Sequence, residues 1–600
     1  MYRTILQYVM SFILFIKVDT SRILCVFPTP SKSHQIGFRP FIHELVKRGH
    51  DVTIITAEPE FVKENAPINL TEVNIHDVSY NYYEAFNIKK IKVKSAFEMS
   101  SFMFEKQLLS DEVQILLQQK KQFDLLLIEM CVRPGLVFSH IFKVPVILIS
   151  SFGGYLDIFD RAGAATHPFL YPSSLWRKIN NLSLWDKLIE LYVEYNHRKN
   201  YEDLEIWEDQ MLQRVVGTDV PPLRELKKNV VLYFFSTHRI WDANRPVPPN
   251  VIYLGGLHLK DRREIPKDLR EHLDSSVGVI YTSFGTNVDP STLPPGKIKI
   301  LSRFLSQLPY TVLWKWNKEK LPGHSKNIVT SKWFPQADLL HHPKMKLFIT
   351  QGGLQSTEEA IDAGIPLLGI PLIGDQWYNV EIYEHFKIGL KVDFEAMTED
   401  SLREAIDKLI NDSSYRQNIL QLRQLIRDQP QSALKRAVWW TEYALRHANL
   451  NHLHTPIVNI SLAKYYELYL ILSGSNSGSK ADKESSGLAE RLVCGQVDRA
   501  EGEEETFTLA RELQALRREY VGAQQRLALA QDKIRSLEMT IAEKNSRQSS
   551  EDTQCDAKGE ELARCLQKEL VRARLHAAER EAVERELTAH SENNRARERK

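Results

Sequence analysis

The alternation of short apolar runs with amphipathic helical segments limits this chain to a few folds. Residues 22–28 (RILCVFP) and 51–57 (DVTIITA) have the length and composition of buried strands, and residues 38–50 (FRPFIHELVKRGH) between them have helical spacing. A strand-helix-strand unit needs a crossover connection, and that crossover makes its two strands parallel. The runs FDLLLIEM and KVPVILISS continue the pattern. We therefore predict an α/β fold built on a parallel sheet.

A second alternating series predicts a second domain. It starts with GVIYTSFGT and continues through KIKILSRFLSQL, YTVLWKWN and KMKLFITQGG. Charge and proline content rise between the two series, at residues 257–264. Because domains usually hold about 100–200 residues, we predict two doubly wound domains, 22–257 and 258–450. The first contains an irregular helical insertion at 168–214 that is rich in Trp, Tyr and Leu.

The chain changes character after residue 450. Residues 451–472 begin like a membrane anchor, but their apolar part contains Lys464 and Glu467 and is too short to cross about 30 Å of hydrocarbon. Residues 473–505 have the composition of a flexible linker. Within 506–600, apolar residues spaced alternately four and three apart predict a coiled coil that makes a homo-oligomer. A lone charged helix is the alternative interpretation.

The first residues predict entry into the secretory pathway. Residues 1–21 (MYRTILQYVMSFILFIKVDTS) have a positive charge, an apolar run and then small polar residues, as a signal peptide does. N-x-S/T sequons give mild support. We expect a protein of the endoplasmic reticulum, lumenal or membrane-associated, or a secreted one because the anchor region is short. The sequons are at Asn69, Asn181, Asn411 and Asn459.

Composition excludes two classes of partner. The net charge is +1, so the basic excess expected of a nucleic-acid-binding protein is absent from the sequence. The five cysteines have no metal-ligand spacing, and their number is odd. We therefore predict neither a zinc site nor a disulfide framework.

One stretch, FITQGGLQSTEEAIDAGIPLLGIPLIGDQWYN (348–379), has the form of a binding cradle. A strand runs into Gly352 and Gly353, and a helix follows at once. A helix N-terminus offers unpaired N–H groups and a partial positive charge, which favour phosphate. Ser356 and Thr357 suit the start of that helix. Structural turns of this kind outnumber phosphate sites, so the stretch needs support from its neighbours.

The neighbouring residues supply that support. Trp333 and Gln336 precede the stretch, and an indole can stack on a nucleobase while an amide pairs with its edge. Glu359 lies one helical turn further on, where it could reach a ribose diol. Asp375 and Gln376 follow a turn and could bind sugar hydroxyls. Base, ribose, phosphate and sugar thus each have a candidate partner in one segment.

These residues carry a family resemblance. The stretch WFPQADLLHHPKMKLFITQGGLQSTEEAIDAGIPLLGIPLIGDQWYN resembles the nucleotide-sugar signature of the UDP-glycosyltransferases, especially their arthropod membrane-type members. PTPSKSHQIGFRPFIHELVKRGHDVTIIT and SFGT are similar to that family too, and the likeness spans residues 22–450. It implies a two-domain fold of the GT-B type. In that fold the first domain binds the acceptor and the second binds the UDP-sugar.

The resemblance also implies a role for each residue. Trp333 would stack on uracil, Gln336 would pair with it, and Glu359 would hold the ribose. Ser283 and the amides near Gly353 and Ser356 would bind the diphosphate, and Asp375 and Gln376 the sugar. Gln351 stands where many relatives have histidine. A glutamine brings no positive charge, so we expect weaker phosphate binding or a changed sugar preference.

His34, after the first strand, is the candidate catalytic base. A hydroxyl is a poor nucleophile at neutral pH, and an imidazole can remove its proton during attack. A helix-capping role is the alternative. In the family an aspartate at the end of the FDLLLIE strand usually orients the histidine, and here Glu129 occupies that position. Glu129 could instead face solvent, and Asp124, at the start of the strand, is the other candidate.

Together these features predict an inverting UDP-hexosyltransferase acting on small lipophilic alcohols or phenols. By resemblance to arthropod members the sugar is glucose. No cofactor or metal is expected beyond the UDP-sugar co-substrate, because the helix dipole and amides can hold the leaving anion. The insertion at 156–207 would line an apolar acceptor pocket, or simply pack in the core. Two alternatives stay open: a binding protein that has lost turnover, and a UDP-sugar epimerase on the same fold.

Overall fold

The structure, a computed structural model, describes residues 20–61, 65–87, 96–155, 157–323, 325–447 and 449–456. All but the last two residues of the predicted signal peptide (1–21) lie outside this part of the chain. So do most of the anchor region, from 457 on, the linker (473–505) and the coiled coil (506–600). Across the described ranges, no helix has both the length and the apolarity that a membrane span needs.

The first domain is built on a seven-stranded sheet in which every neighbouring pair is parallel. Its strand order is β3-β2-β1-β4-β5-β6-β7. The order runs outward in both directions from the boundary between β1 and β4, where an open α/β sheet binds ligands. The strands are β1 Arg22–Phe27, β2 Asp51–Thr56, β3 Leu70–Asn74, β4 Leu125–Glu129, β5 Val146–Ser150, β6 Val230–Phe235 and β7 Val251–Tyr253.

Helices cover both faces of this sheet, which is why its central strands read as unbroken apolar runs. Along β1, Leu24 and Val26 enter the core on one face, while Ile23 and Cys25 enter the core on the other. The helices are α1 Lys32–Lys47, α2 His76–Asn87, α3 Ala96–Leu108, α4 Asp111–Gln118, α5 Val137–Phe142, α6 Ile158–Ala162, α7 Leu184–Val215 and α8 Leu223–Leu226.

The helical insertion predicted at 168–214 contains one long helix. Helix α7 begins where Ser183 accepts a hydrogen bond from the Asp186 backbone N–H, and the Asp186 side chain bonds back to the Ser183 N–H. This reciprocal capping box satisfies backbone groups that the helix itself cannot. Residues 168–183 before the cap are largely irregular, as expected.

The second domain has a six-stranded sheet, again with every neighbouring pair parallel. Its strand order is β10-β9-β8-β11-β12-β13. The two sheets confirm the prediction of two doubly wound domains. The strands are β8 Val279–Ser283, β9 Thr311–Lys315, β10 Ile328–Ser331, β11 Met345–Thr350, β12 Leu367–Gly369 and β13 Gly389–Lys391. The helices are α9 Lys267–Asp274, α10 Pro295–Ser306, α11 Gln336–Leu340, α12 Leu354–Ala363, α13 Gln376–His385, α14 Glu399–Asn411, α15 Ser414–Arg427 and α16 Ala433–Arg446.

The last of these helices returns to the first domain. Ala437 and Val438 of α16 are fully buried in the same core as Ile23 and Cys25. Arg48, just after α1, donates a hydrogen bond to Glu442 of α16 over 3.1 Å. Although the sequence places the second domain at 258–450, the described residues between 433 and 453 pack on the first sheet. The chain therefore crosses between the domains twice.

Candidate active site

The carboxyl ends of β1, β8, β9 and β11 meet at one cavity of about 290 Å³. Residues of both domains line it, so the cavity lies in the cleft between the two sheets. Nine predicted donor-binding residues and the predicted base share this lining, although they come from separate elements. They are His34, Ser283, Trp333, Gln336, Gln351, Gly353, Ser356, Glu359, Asp375 and Gln376.

His34 and Glu129 form a hydrogen-bonded pair behind the cavity wall. His34 lies in the first turn of α1, and its Nδ1 is 2.5 Å from Glu129 Oε1. Glu129 ends β4, is completely buried, and accepts a second bond from the Thr29 N–H at 3.3 Å. A carboxylate on Nδ1 places the proton of a neutral imidazole there and leaves Nε2 free to accept one.

The burial of Glu129 excludes the solvent-facing alternative. Asp124, the other candidate, precedes β4 at the opposite end of the strand, where its Oδ2 accepts from the Arg22 N–H at 2.7 Å. Only Glu129 is therefore placed to orient His34. The extra methylene of glutamate, compared with the aspartate usual in the family, does not prevent the contact.

Cys131 lies beside this pair. Possible ligand atoms of His34, Glu129 and Cys131 fall within 4.8 Å of one another. Burial and the nearby Glu129 carboxylate raise the pKa of the Cys131 thiol well above its usual range. Since metals bind the thiolate and Glu129 is already bonded to His34, this trio is a poor preformed metal site.

The start of α12 presents free backbone N–H groups to the cavity. Gly353 is its N-cap, and the first described helical bond runs from the Thr357 N–H to the Gly353 carbonyl. Gly353, Leu354, Gln355 and Ser356 all line the cavity. The first N–H groups of a helix have no acceptor within it, and together with the helix dipole they favour an anion.

Trp333, Gln336 and Glu359 form the next part of the wall. The Trp333 side chain is 56% exposed, so one face of the indole is free for stacking. Gln336 Nε2 donates to Ser356 Oγ at 2.9 Å and to Glu359 Oε2 at 2.7 Å. Burial raises the pKa of Glu359 to about 7. The carboxyl group can thus either donate or accept a hydrogen bond near neutral pH, which suits a diol.

Asp375 and Gln376 differ in which side-chain atoms remain free to bind a ligand. Asp375 Oδ2 accepts from Asn379 Nδ2 at 2.8 Å, and burial raises the pKa of Asp375. Gln376 Oε1 accepts from the N–H groups of Leu372 and Ile373, both at 2.9 Å. The Gln376 side chain therefore keeps only its NH₂ group for a ligand, while Asp375 keeps a carboxylate oxygen.

Gln351 packs tightly against the turn after β8. Gly285 in that turn has φ +76°, and a Cβ added there would lie 2.1 Å from Gln351 Nε2. The Gln351 side chain is buried, and its Oε1 has no hydrogen-bond partner among the described residues. A buried unpaired acceptor is costly, so this oxygen is available to a ligand hydroxyl.

This close approach gives a prediction for Gly285→Ala. The methyl group would displace the Gln351 amide, and a left-handed backbone costs a non-glycine residue about 1–2 kcal/mol. We expect a loss of that size in the free energy of unfolding and about a tenfold weaker affinity for UDP, measured by denaturant titration and calorimetry. Gly296→Ala is the matched control, because nothing lies within 4 Å of its added Cβ. Equal behaviour of the two variants would contradict the close packing.

Sequence reasoning missed several residues of the cavity wall. Lys315, the last residue of β9, lines the cavity, as does Phe152, whose ring centroid is 6.2 Å from that of His34. Gln355 Nε2 donates to the Ser33 carbonyl at 2.6 Å and joins the two domains across the cleft. A strand-end lysine and an aromatic residue after a strand are visible signals, but they are too common to select by themselves.

The insertion does not line the cavity within the described residues. Trp176 and Tyr201 are buried in the protein interior, whereas Trp185 and Tyr192 are largely exposed. None of residues 157–207 is among those that line the cavity. The core-packing alternative therefore holds for the buried members of this segment. Phe152 and Ile36 are the apolar residues of the first domain that line the cavity.

Two doubly wound domains, with the predicted donor-binding residues on one and a paired histidine on the other, are the arrangement of a GT-B glycosyltransferase. A family model described as UDP-glucoronosyl and UDP-glucosyl transferase matches residues 22–472. The chain belongs to this family and is a UDP-glycosyltransferase.

Individual relatives agree with the family assignment. An ecdysteroid UDP-glucosyltransferase of Spodoptera littoralis nuclear polyhedrosis virus is 36% identical over 75% of this chain and 93% of its own length. UDP-glycosyltransferase UGT5 of Dactylopius coccus is 31% identical over 77% and 91%. The solved UDP-glucose:anthocyanidin 3-O-glucosyltransferase in complex with UDP shares the fold, with a TM-score of 0.50, 18% identity, and coverage of 71% of this chain and 99% of that one.

Proposed function

We propose that the chain transfers glucose from UDP-glucose to a hydroxyl group of a small lipophilic acceptor, with inversion at the anomeric carbon. The observation that carries the proposal is the meeting of His34, oriented by Glu129, with all the predicted donor residues around one cavity. A base from the first domain and a donor held by the second can then act on the same bond.

The reaction is a single displacement. The acceptor oxygen attacks the anomeric carbon from the side opposite UDP, and a new carbon–oxygen bond forms. His34 Nε2 takes the hydroxyl proton as the attack proceeds. The bond between the anomeric carbon and the phosphate oxygen breaks, and UDP leaves with the electron pair. Glu129 stabilises the imidazolium that results.

Residues of the second domain hold the donor. Trp333 stacks on uracil, Gln336 pairs with it, and Glu359 binds the ribose. The amides at Gly353 and Ser356, at the start of α12, bind the diphosphate together with Ser283, which ends β8 on the same cavity. Asp375 and the free NH₂ group of Gln376 bind sugar hydroxyls, and Gln351 offers its unpaired Oε1 to one more.

The choice of sugar and acceptor rests on the relatives and on the cavity wall. Four relatives between 34% and 36% identical are named ecdysteroid UDP-glucosyltransferases, which supports glucose and a lipophilic alcohol. Phe152 beside His34 gives an apolar surface next to the base. We further propose that the enzyme resides in the endoplasmic reticulum and oligomerises through residues 506–600, on the basis of the sequence patterns described above.

An assay of UDP release tests the proposed function. The full chain is incubated with UDP-glucose, with and without a phenol and an ecdysteroid as acceptor probes, and with UDP-glucuronate as the alternative donor. Acceptor-dependent release with UDP-glucose is the expected result. Calorimetric binding of UDP-glucose without any release would favour a binding protein, and conversion of the sugar without acceptor would favour an epimerase. Faster release with UDP-glucuronate would overturn the choice of glucose.

A further inference from the structure

Lys315 lines the part of the cavity that belongs to the second domain, where the proposed function places the UDP-sugar. The proposed function gives this lysine no role. Its Nζ donates to the Gly285 carbonyl at 2.6 Å and lies 5.1 Å from the centroid of the Trp333 ring. The ammonium group therefore lies between Gly285, in the turn after β8, and the Trp333 indole. All of these residues line the cavity.

The charge on Lys315 is uncompensated. No carboxylate in the described part of the chain lies within 4.0 Å of Nζ. By contrast, the largely buried cations Arg39, Arg133 and Lys227 of the first domain are each paired with a carboxylate. Burial, followed by the positive charge of Lys32, lowers the pKa of Lys315. A partly buried cation without a counter-ion is unfavourable by itself and becomes favourable when an anion arrives.

The neighbouring groups do not supply the missing negative charge. Glu359 lines the same cavity, but its raised pKa leaves it only partly ionised near neutral pH. Burial also raises the pKa of Asp375. Asp338 accepts a hydrogen bond from the Arg263 N–H. Although Glu359, Asp375 and Asp338 all line the cavity, none of the three carboxylates lies within 4.0 Å of Lys315 Nζ, so none of them forms an ion pair with it.

A diphosphate needs more charge than the helix provides. The N-terminus of α12 is equivalent to about half a unit charge, and Gln351 is neutral. UDP leaves the reaction as a multiply charged anion, so a full positive charge nearby stabilises both the bound donor and the leaving group. We propose that Lys315 is that charge, pairing with the diphosphate of the UDP-sugar and of departing UDP. This inference rests on the proposed function, because it assumes a UDP-sugar in this cavity.

The experiment compares ligands that differ in phosphate charge. Calorimetry on the full chain measures dissociation constants of UDP, UMP and uridine for the wild type, Lys315→Gln, Lys315→Arg and Lys332→Gln. Glutamine keeps a donor for the Gly285 carbonyl but removes the charge. Lys332 is the matched control, since it is exposed, adjacent to Trp333, and outside the cavity lining.

We expect Lys315→Gln to weaken UDP at least tenfold and uridine less than twofold, with UMP between them. Lys315→Arg should stay within about threefold for UDP, and Lys332→Gln within twofold for all three ligands. A purely structural tie to Gly285 would weaken uridine as much as UDP. That outcome overturns the proposal, as does unchanged UDP binding in Lys315→Gln.

Misfolding of a lysine variant and a lack of binding by the wild type lead to different conclusions. If Lys315→Gln does not melt near the wild-type temperature, Lys315→Met is measured by the same criteria. If both variants fail to fold while Lys332→Gln folds, Lys315 is structural and the proposal is overturned. Wild-type protein that binds neither UDP nor uridine would refute the proposed function itself, whereas failure of the lysine variants alone would leave that function intact.

Discussion

Replacement of His34 by alanine is expected to lower kcat for glycosyl transfer by about 10²–10⁴-fold, with the dissociation constant of UDP within twofold of wild type. The imidazole is the group placed to take the acceptor proton, because Glu129 occupies its Nδ1 and leaves Nε2 on the cavity side. UDP binding should survive, since the proposed uracil, ribose and diphosphate ligands all belong to the second domain.

A second histidine on the same helix provides the control. His43 lies on α1 and pairs with Glu60 through Nε2 at 2.8 Å, away from the cavity. His43→Ala should therefore keep wild-type kcat while perturbing α1 to a similar extent. Steady-state UDP release and calorimetry with UDP separate turnover from binding. A fully active His34→Ala enzyme would remove the assignment of the base.

The fold was predictable from sequence because parallel strands covered on both faces must be apolar along their whole length. This pattern marks β1, β4 and β5 as plainly as β8 and β11. The return of α16 to the first domain was not predictable in this way. An amphipathic helix shows that one face is buried, but its pattern does not say which of two similar sheets covers it.

The gathering of the proposed donor residues around one cavity was predictable because most of them lie in one segment, 333–376, at the carboxyl edge of the second sheet. The role of Lys315 was not, since it depends on the absence of a carboxylate partner in three dimensions. The contact between Gln355 and Ser33 could not be predicted either, because it joins residues 322 positions apart in two different domains. The acceptor-binding role predicted for the insertion stays a prediction, because aromatic content alone does not distinguish a pocket from a core.

Substitution of Glu129 is expected to have the second large effect on kcat. Glu129→Gln is expected to lower kcat by about 10²–10⁴-fold, because a neutral amide cannot stabilise the imidazolium and can hold the ring in the wrong tautomer. Glu129→Asp should lose about tenfold. It keeps the charge but withdraws the carboxylate by about 1.5 Å, which breaks the 2.5 Å contact with His34 Nδ1 unless the backbones move closer.

The relative kcat values of these variants distinguish the effect of the Glu129 charge from the effect of its side-chain length. If charge on the fully buried Glu129 side chain matters most, Glu129→Asp stays well above Glu129→Gln in kcat, while UDP affinity is equal in both. Asp124→Asn is the matched control at the other end of the strand. Its kcat should match wild type because, among the described residues, that carboxylate contacts Arg22 and lies away from His34. Equal loss in the aspartate and glutamine variants would mean that the contact geometry at His34, and not the charge, limits turnover. Wild-type kcat in Glu129→Gln would show that His34 works without a carboxylate.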